Sequence, residues 1–231
     1  MLNVANLSFN EPGGRSIRGL RIAAGTGAVT ALIGASGSGK SQVLRAIVGI
    51  TRPVRGSIQI DGIEIADLTL RQIVRRGVAF VPQGGLVVDP LTVDENLSLS
   101  ESAGRSRLDS RREEVFALFP ALVPLLEQRA GRLPPLPRLM LAIGRAVMTN
   151  PSAIVLDQPS YGLPAGAIDQ VHRAIAGLRA LEYTVLMSEQ NVSLALDLCD
   201  HAYILRGGAL VASGTSDQLR DSDAVAEAFL G

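Results

Sequence analysis

GASGSGKS, residues 34–41, is the stretch on which the fold turns. It fits the pattern G-x-x-x-x-G-K-[ST], follows the β-rich run VTALIG (29–34) and opens the helical pattern QVLRAIVGI (42–50), the strand–loop–helix setting a phosphate loop requires. In such a loop Gly34, Ala35, Ser36, Gly37, Ser38 and Gly39 let successive backbone N–H groups converge on phosphate oxygens. The helix start, with Gln42 in its first turn, adds favourable partial charge. Lys40 would reach the terminal phosphates and the Ser41 hydroxyl would ligate Mg²⁺. With a single lysine and glycine at about a tenth of positions, a chance match is on the order of one in a thousand. Nucleotide binding is therefore the working reading.

Outward from the loop, GVAFVPQ (77–83), AIVLDQP (153–159) and TVLMSEQ (184–190) are further short apolar runs closed by polar or turn residues. They read as buried strands of a mainly parallel sheet. Between them lie helical patterns at 111–119, 138–148 and 167–181. Alternation of this kind predicts a doubly wound α/β fold, here a P-loop NTPase core. SIQIDGIEI (57–65) and HAYILRGGALVASG (201–214) carry hairpin signals at Asp61-Gly62 and Gly207-Gly208, which add antiparallel sheet. Residues 85–145 begin irregularly, hold helical patterns and contain the rigid run Leu133-Pro134-Pro135-Leu136-Pro137. The expectation is one domain, with an α/β core at 1–84 and 146–231 and a helical subdomain inserted at 85–145. Asp157, at the end of a predicted strand, is placed to hold Mg²⁺ through water opposite Ser41.

Composition narrows the partners. Acidic and basic residues balance at 22 each without long blocks, so no nucleic-acid footprint is expected. The start MLNVANLSF lacks a secretion signal, and no stretch approaches the roughly 18 apolar residues of a membrane span, which points to a cytoplasmic chain. The lone Cys199 reads as packing and a metal site built on it is not expected. Of the 22 basic residues Lys40 is the only lysine. This rules out an N-K-x-D base-recognition motif or a lysine-rich lid, and with them a GTPase or P-loop kinase reading.

The phosphate loop, the inserted segment and Asp157, in this order, resemble the ABC transporter ATPases along the whole chain. Gln83 in FVPQG looks like that family's Q-loop, which touches Mg²⁺ and relays the nucleotide state to membrane subunits, and LTVDENL (91–97) like the stretch after it. ALFPAL (117–122), QRAG (128–131), MLAIGRAVMTNP (140–151), SEQN (188–191) and the ending AFLG (228–231) are similar to the shorter ATPase of branched-chain amino-acid uptake systems. The resemblance implies ATP and Mg²⁺ as ligands and a second ABC ATPase subunit, identical or different, as partner. It also implies transmembrane permease subunits and a place on the inner face of the cell membrane.

Several positions depart from the family pattern. Where its S-G-G-E-Q signature donates backbone N–H groups to the partner subunit's ATP, this chain has Pro134-Pro135-Leu136-Pro137-Arg138, and proline has no N–H. The glutamate that polarises the attacking water is replaced by Gln158, which cannot accept a proton. The switch histidine corresponds to Gln190, and the adenine-stacking aromatic falls near Phe9 to Glu11. Ser160-Tyr161-Gly162-Leu163-Pro164 resembles the segment that links the two ATP sites of the family's dimer. Two expectations follow: an ATPase subunit that powers import by dimer closure, or a catalytically impaired nucleotide-binding subunit that gates a complex with a competent ATPase.

Overall fold

A computed structural model describes residues 1–10, 16–99, 105–220, 222 and 225. In chain order the elements are β1 (Leu2–Asn10), β2 (Ser16–Ala24), β3 (Val29–Ile33), α1 (Lys40–Ile47), β4 (Arg55–Ile60), β5 (Ile63–Glu64), α2 (Leu70–Arg75), β6 (Val78–Val81) and α3 (Val93–Ser98). There follow α4 (Arg105–Leu118), two short 3-10 turns at Pro120–Leu125 and Ala130–Arg132, and α5 (Pro135–Met148). The remainder comprises β7 (Ala153–Asp157), α6 (Ala165–Ala180), β8 (Thr184–Glu189), α7 (Val192–Leu198), β9 (His201–Arg206), β10 (Ala209–Thr215) and α8 (Ser216–Arg220).

Six strands form the central sheet in the order β10-β9-β3-β8-β7-β6. All neighbours are parallel except the β9–β10 hairpin at the edge. The parallel strands β3, β7 and β8 are buried at every position, as a sheet covered on both faces must be. Their side chains divide between two cores. On β7, Ile154 and Leu156 join the cluster formed with α5, while Val155 turns to the opposite cluster with Val43, Leu44 and Ile47 of α1. The loop carrying Gly34 to Ser41 leaves the carboxyl end of the central strand β3, beside the ends of β7 and β8.

A second, antiparallel sheet, β2-β1-β4-β5, packs beside α1. The hairpin read at 57–65 is its β4–β5 pair. The strands β1 and β2 were not expected from the sequence. Leu2 and Val4 alternate inward, then β1 carries an extra residue before Leu7, with Asn6 at φ 52°, and β2 carries one between Ile17 and Leu20. Bulges at both places break the two-residue period that a sequence pattern detects.

The rigid proline run lies at a helix start, three residues ahead of the helical pattern read at 138–148. Pro134 is the N-cap and Pro135 the first residue of α5, so the segment begins a 14-residue helix. A fixed φ is already helical at that position, and the missing N–H would have had no intrahelical partner.

Between β6 and α5, the segment after Gln83 is held from its inner side by a buried amide, with Arg138, Arg145 and the backbone of Ala130 and Gly131 adding further bonds. Asn96, 0% exposed, accepts from the Val88 N–H at 2.9 Å and donates to the carbonyls of Val88 at 3.0 Å and Thr92 at 2.9 Å. Thr92 and Glu95 form a reciprocal capping box at the start of α3. Asn96→Ala leaves the Val88 amide and carbonyl without these partners. It is expected to lower unfolding stability by about 2 kcal/mol or more, read from urea denaturation.

Candidate functional site

The loop at Gly34 to Ser41 is built by close backbone approach. A β-carbon on Gly34 would lie 2.3 Å from the Leu205 carbonyl and 2.6 Å from Ser38 Oγ, so only glycine lets the chain turn beside β9. Gly39 caps α1 at φ 103°, a left-handed conformation that glycine adopts without strain. The Gly208 N–H of the β9–β10 turn donates to the Ser38 carbonyl at 3.1 Å and braces the loop from outside.

Lys40 is 2% exposed. Its ammonium donates to the carbonyls of Gly34 at 2.7 Å and Ala35 at 2.8 Å and to Ser38 Oγ at 3.4 Å. Burial pulls the Lys40 pKa below the usual lysine value, while the Asp157 and Glu189 carboxylates oppose that shift. A desolvated cation inside a ring of backbone is a receptor for anions.

Asp157, at the end of β7, accepts two hydroxyls on one oxygen: Ser41 at 2.8 Å and Ser188 of β8 at 2.7 Å. Ser41 and Asp157, predicted from positions 116 residues apart, thus meet directly. A hydroxyl beside a carboxylate offers the hard oxygen donors that suit Mg²⁺. Gln158 follows at φ 48° and donates its backbone N–H to Ser188 Oγ at 3.0 Å. Its side-chain oxygen accepts from Gln83 Nε2 at 3.0 Å, so the Q-loop and glutamate positions touch each other. Gln190 is exposed and lines, with Gln158, Ser160, Tyr161, Glu189 and Asn191, a cavity of about 290 Å³ at the carboxyl end of the sheet. Gln42 lies half-buried in the first turn of α1.

Of the segment Phe9 to Glu11, read as the place of an adenine-stacking aromatic, the structure describes Phe9 and Asn10. Phe9 is 2% exposed in the core between the antiparallel sheet and α1, so it has no face to offer a base; Glu11 lies outside the described residues. The ending AFLG at 228–231 is likewise outside them. In the first turn of α5, Pro135 and Pro137 have no N–H, so Leu136 carries the only amide of its first three residues.

One residue escaped the sequence reading. Glu189, the last of β8, is 2% exposed, and its carboxylate accepts from the Ser160 N–H at 3.1 Å, the Ser160 hydroxyl at 2.9 Å and the Gln190 N–H at 3.2 Å. Burial pushes its pKa above the ordinary glutamate value, against these hydrogen bonds. Cys199 is buried with its thiol pushed up to about 11, chiefly by desolvation, in keeping with a packing role.

Gly34→Ala forces its new β-carbon against main-chain oxygen. It is expected to cost about 1–3 kcal/mol in denaturant unfolding, as overpacking does.

The comparisons agree with this architecture. The ABC transporter family model matches residues 17–161. The high-affinity branched-chain amino acid transport ATP-binding protein BraG of Pseudomonas aeruginosa is 39% identical over 206 residues, 89% of this chain and 88% of that protein. The lipopolysaccharide export system ATP-binding protein LptB of Haemophilus influenzae is 29% identical, covering 100% of this chain and 97% of its own. Among solved structures, the ADP conformation of MJ1267, an ATP-binding cassette of an ABC transporter, superposes with a TM-score of 0.83 at 25% identity over 100% of this chain and 98% of that one. With its phosphate loop between β3 and α1 and its acidic strand end at Asp157, the chain belongs to the ABC transporter family as one of its ATP-binding subunits.

Proposed function

We propose that this subunit holds ATP–Mg²⁺ at Gly34 to Ser41 and serves an importer of branched-chain amino acids or a similar small polar solute. It would act from the cytoplasmic face of the membrane, beside permease subunits and a second ATPase subunit. The observation that carries the reading is the meeting of Lys40, Ser41 and Asp157 in one cradle. Phosphate oxygens would take over the Lys40 donors now given to Gly34 and Ala35. Ser41 would ligate Mg²⁺ directly, with Asp157 through water and Gln83 at its edge, and the ion would neutralise charge on the phosphates. The preference for branched-chain solutes rests on the likeness to BraG, which exceeds that to the export protein LptB.

Hydrolysis by this chain's own site is expected to be slow. An amide at Gln158 takes no proton from water, and loss of a general base typically costs about 10²–10⁴-fold. The partner's site is impaired separately, because α5 opens on prolines where the family presents donors. These features favour a subunit that binds nucleotide and gates a complex over one that turns ATP over rapidly.

Lys40→Ala is expected to weaken ATP–Mg²⁺ binding about 10- to 100-fold, the worth of lost charge-assisted hydrogen bonds. Unchanged affinity in a titration with a fluorescent ATP analogue overturns nucleotide binding at this loop. Gln158→Glu alone is expected to leave turnover below about 1 s⁻¹, the slow end of enzyme rates; brisk phosphate release by that variant refutes the role given to the α5 prolines. Cells lacking the subunit should take up less leucine, and normal uptake removes the branched-chain assignment.

A further inference from the structure

Glu189 bonds in two directions. Its backbone carbonyl accepts the Gly34 N–H, the first amide of the phosphate loop, at 3.3 Å. Its side chain accepts both the N–H and the hydroxyl of Ser160, and the N–H of Gln190. One residue therefore touches the nucleotide loop, the segment 160–164 and the segment carrying Gln190.

It is not placed to serve as a substitute base for Gln158. Successive side chains of a strand point to opposite faces. Ser188 points to Asp157, so Glu189 turns away from that carboxylate and toward residue 160. Its two oxygens already accept three donors, which leaves it better suited to fixing a loop than to taking a proton. Around it the segment is otherwise held by turns, Tyr161 N–H to the Gln158 carbonyl at 3.0 Å and Leu163 N–H to the Ser160 carbonyl at 3.2 Å. These local bonds shape the segment, and the Ser160 bonds to Glu189 tie it to the sheet. Beyond Ser160, Tyr161 is 62% exposed on the outer surface.

We propose that Glu189 is a positioning residue that couples the phosphate loop to the 160–164 segment, so that filling the loop with nucleotide orders that surface. The inference rests on the nucleotide reading above and deepens it. A movement of Gly34 on phosphate binding is passed to the β8 end through the Glu189 carbonyl, and its carboxylate carries it to Ser160. No other side chain is required between the two.

The test measures amide exchange of the peptide spanning 158–164 with and without saturating ATP–Mg²⁺, in the unsubstituted chain, Glu189→Ala, Glu189→Gln and Ser160→Ala. ATP is expected to slow exchange about tenfold or more in the unsubstituted chain. Glu189→Ala is expected still to bind ATP yet show no ATP-dependent slowing, and Ser160→Ala, which loses the hydroxyl donor but keeps the backbone N–H, to lose part of it. Glu189→Gln, whose carbonyl still accepts one of the two Ser160 donors, should recover part of the effect. Normal ATP-dependent protection in a Glu189→Ala protein that binds ATP overturns the coupling alone. Absence of ATP binding by the unsubstituted chain overturns the nucleotide reading and the coupling with it. Should Glu189→Ala not fold, Ser160→Ala decides the matter: reduced ATP-dependent slowing supports the coupling and full slowing overturns it.

Discussion

The Asp157 carboxylate is the joint on which the site depends. One of its oxygens accepts a hydroxyl from α1 and another from β8, so the helix after the phosphate loop, the strand that ends in Asp157 and the next strand are bound at a point. Each donor is supplied by a separate part of the chain, and the parallel order of β3, β8 and β7 brings them together. A carboxylate buried at 3% exposure costs desolvation free energy unless its oxygens are hydrogen-bonded. Ser41 and Ser188 meet that requirement, and Ser41 is also the hydroxyl a Mg²⁺ ion would use. The bond between Ser41 and Asp157 is thus one that a metal ion at that hydroxyl would rearrange.

A similar tension surrounds Lys40. Stability alone favours an apolar side chain at so buried a position, yet the ring of carbonyls around it is shaped for an ammonium. Local rules of folding are broken at functional sites and compensated nearby. Here the compensation is visible in Gly34, whose missing β-carbon lets the Leu205 carbonyl close against the loop, and in the Gly208 amide that holds Ser38 from the hairpin. The β9–β10 hairpin, at the edge of the sheet, is thereby part of the cradle.

Much of this was legible in sequence because it depends on local chemistry. The phosphate loop is a contiguous string, and the parallel strands are uninterrupted apolar runs, so pattern and structure coincide there. The antiparallel strands β1 and β2 were illegible because their bulges disrupt the alternation that would have announced them. The prolines at 134–137 were read as a rigid run ahead of a helical pattern at 138–148, and they turn out to form the start of that helix. The place of a base-stacking aromatic, which the sequence puts near Phe9 to Glu11, is not filled by Phe9, whose ring is buried in the core. Glu189 was invisible for a topological reason: that it reaches Ser160 follows from β7 and β8 being neighbours, and adjacency of strands is not written in either segment.

The arginine bias gives the loop one more property. Since the chain's other side-chain cations are arginine or histidine, Lys40 bears its only primary amine on a side chain. That amine is sequestered under backbone oxygens. Acylating reagents react with the free, unprotonated and accessible form, so they meet no competing lysine elsewhere on the surface. The rate of acylation at this position, set apart by peptide mapping from that of the exposed α-amine of Met1, becomes a clock for the loop's opening.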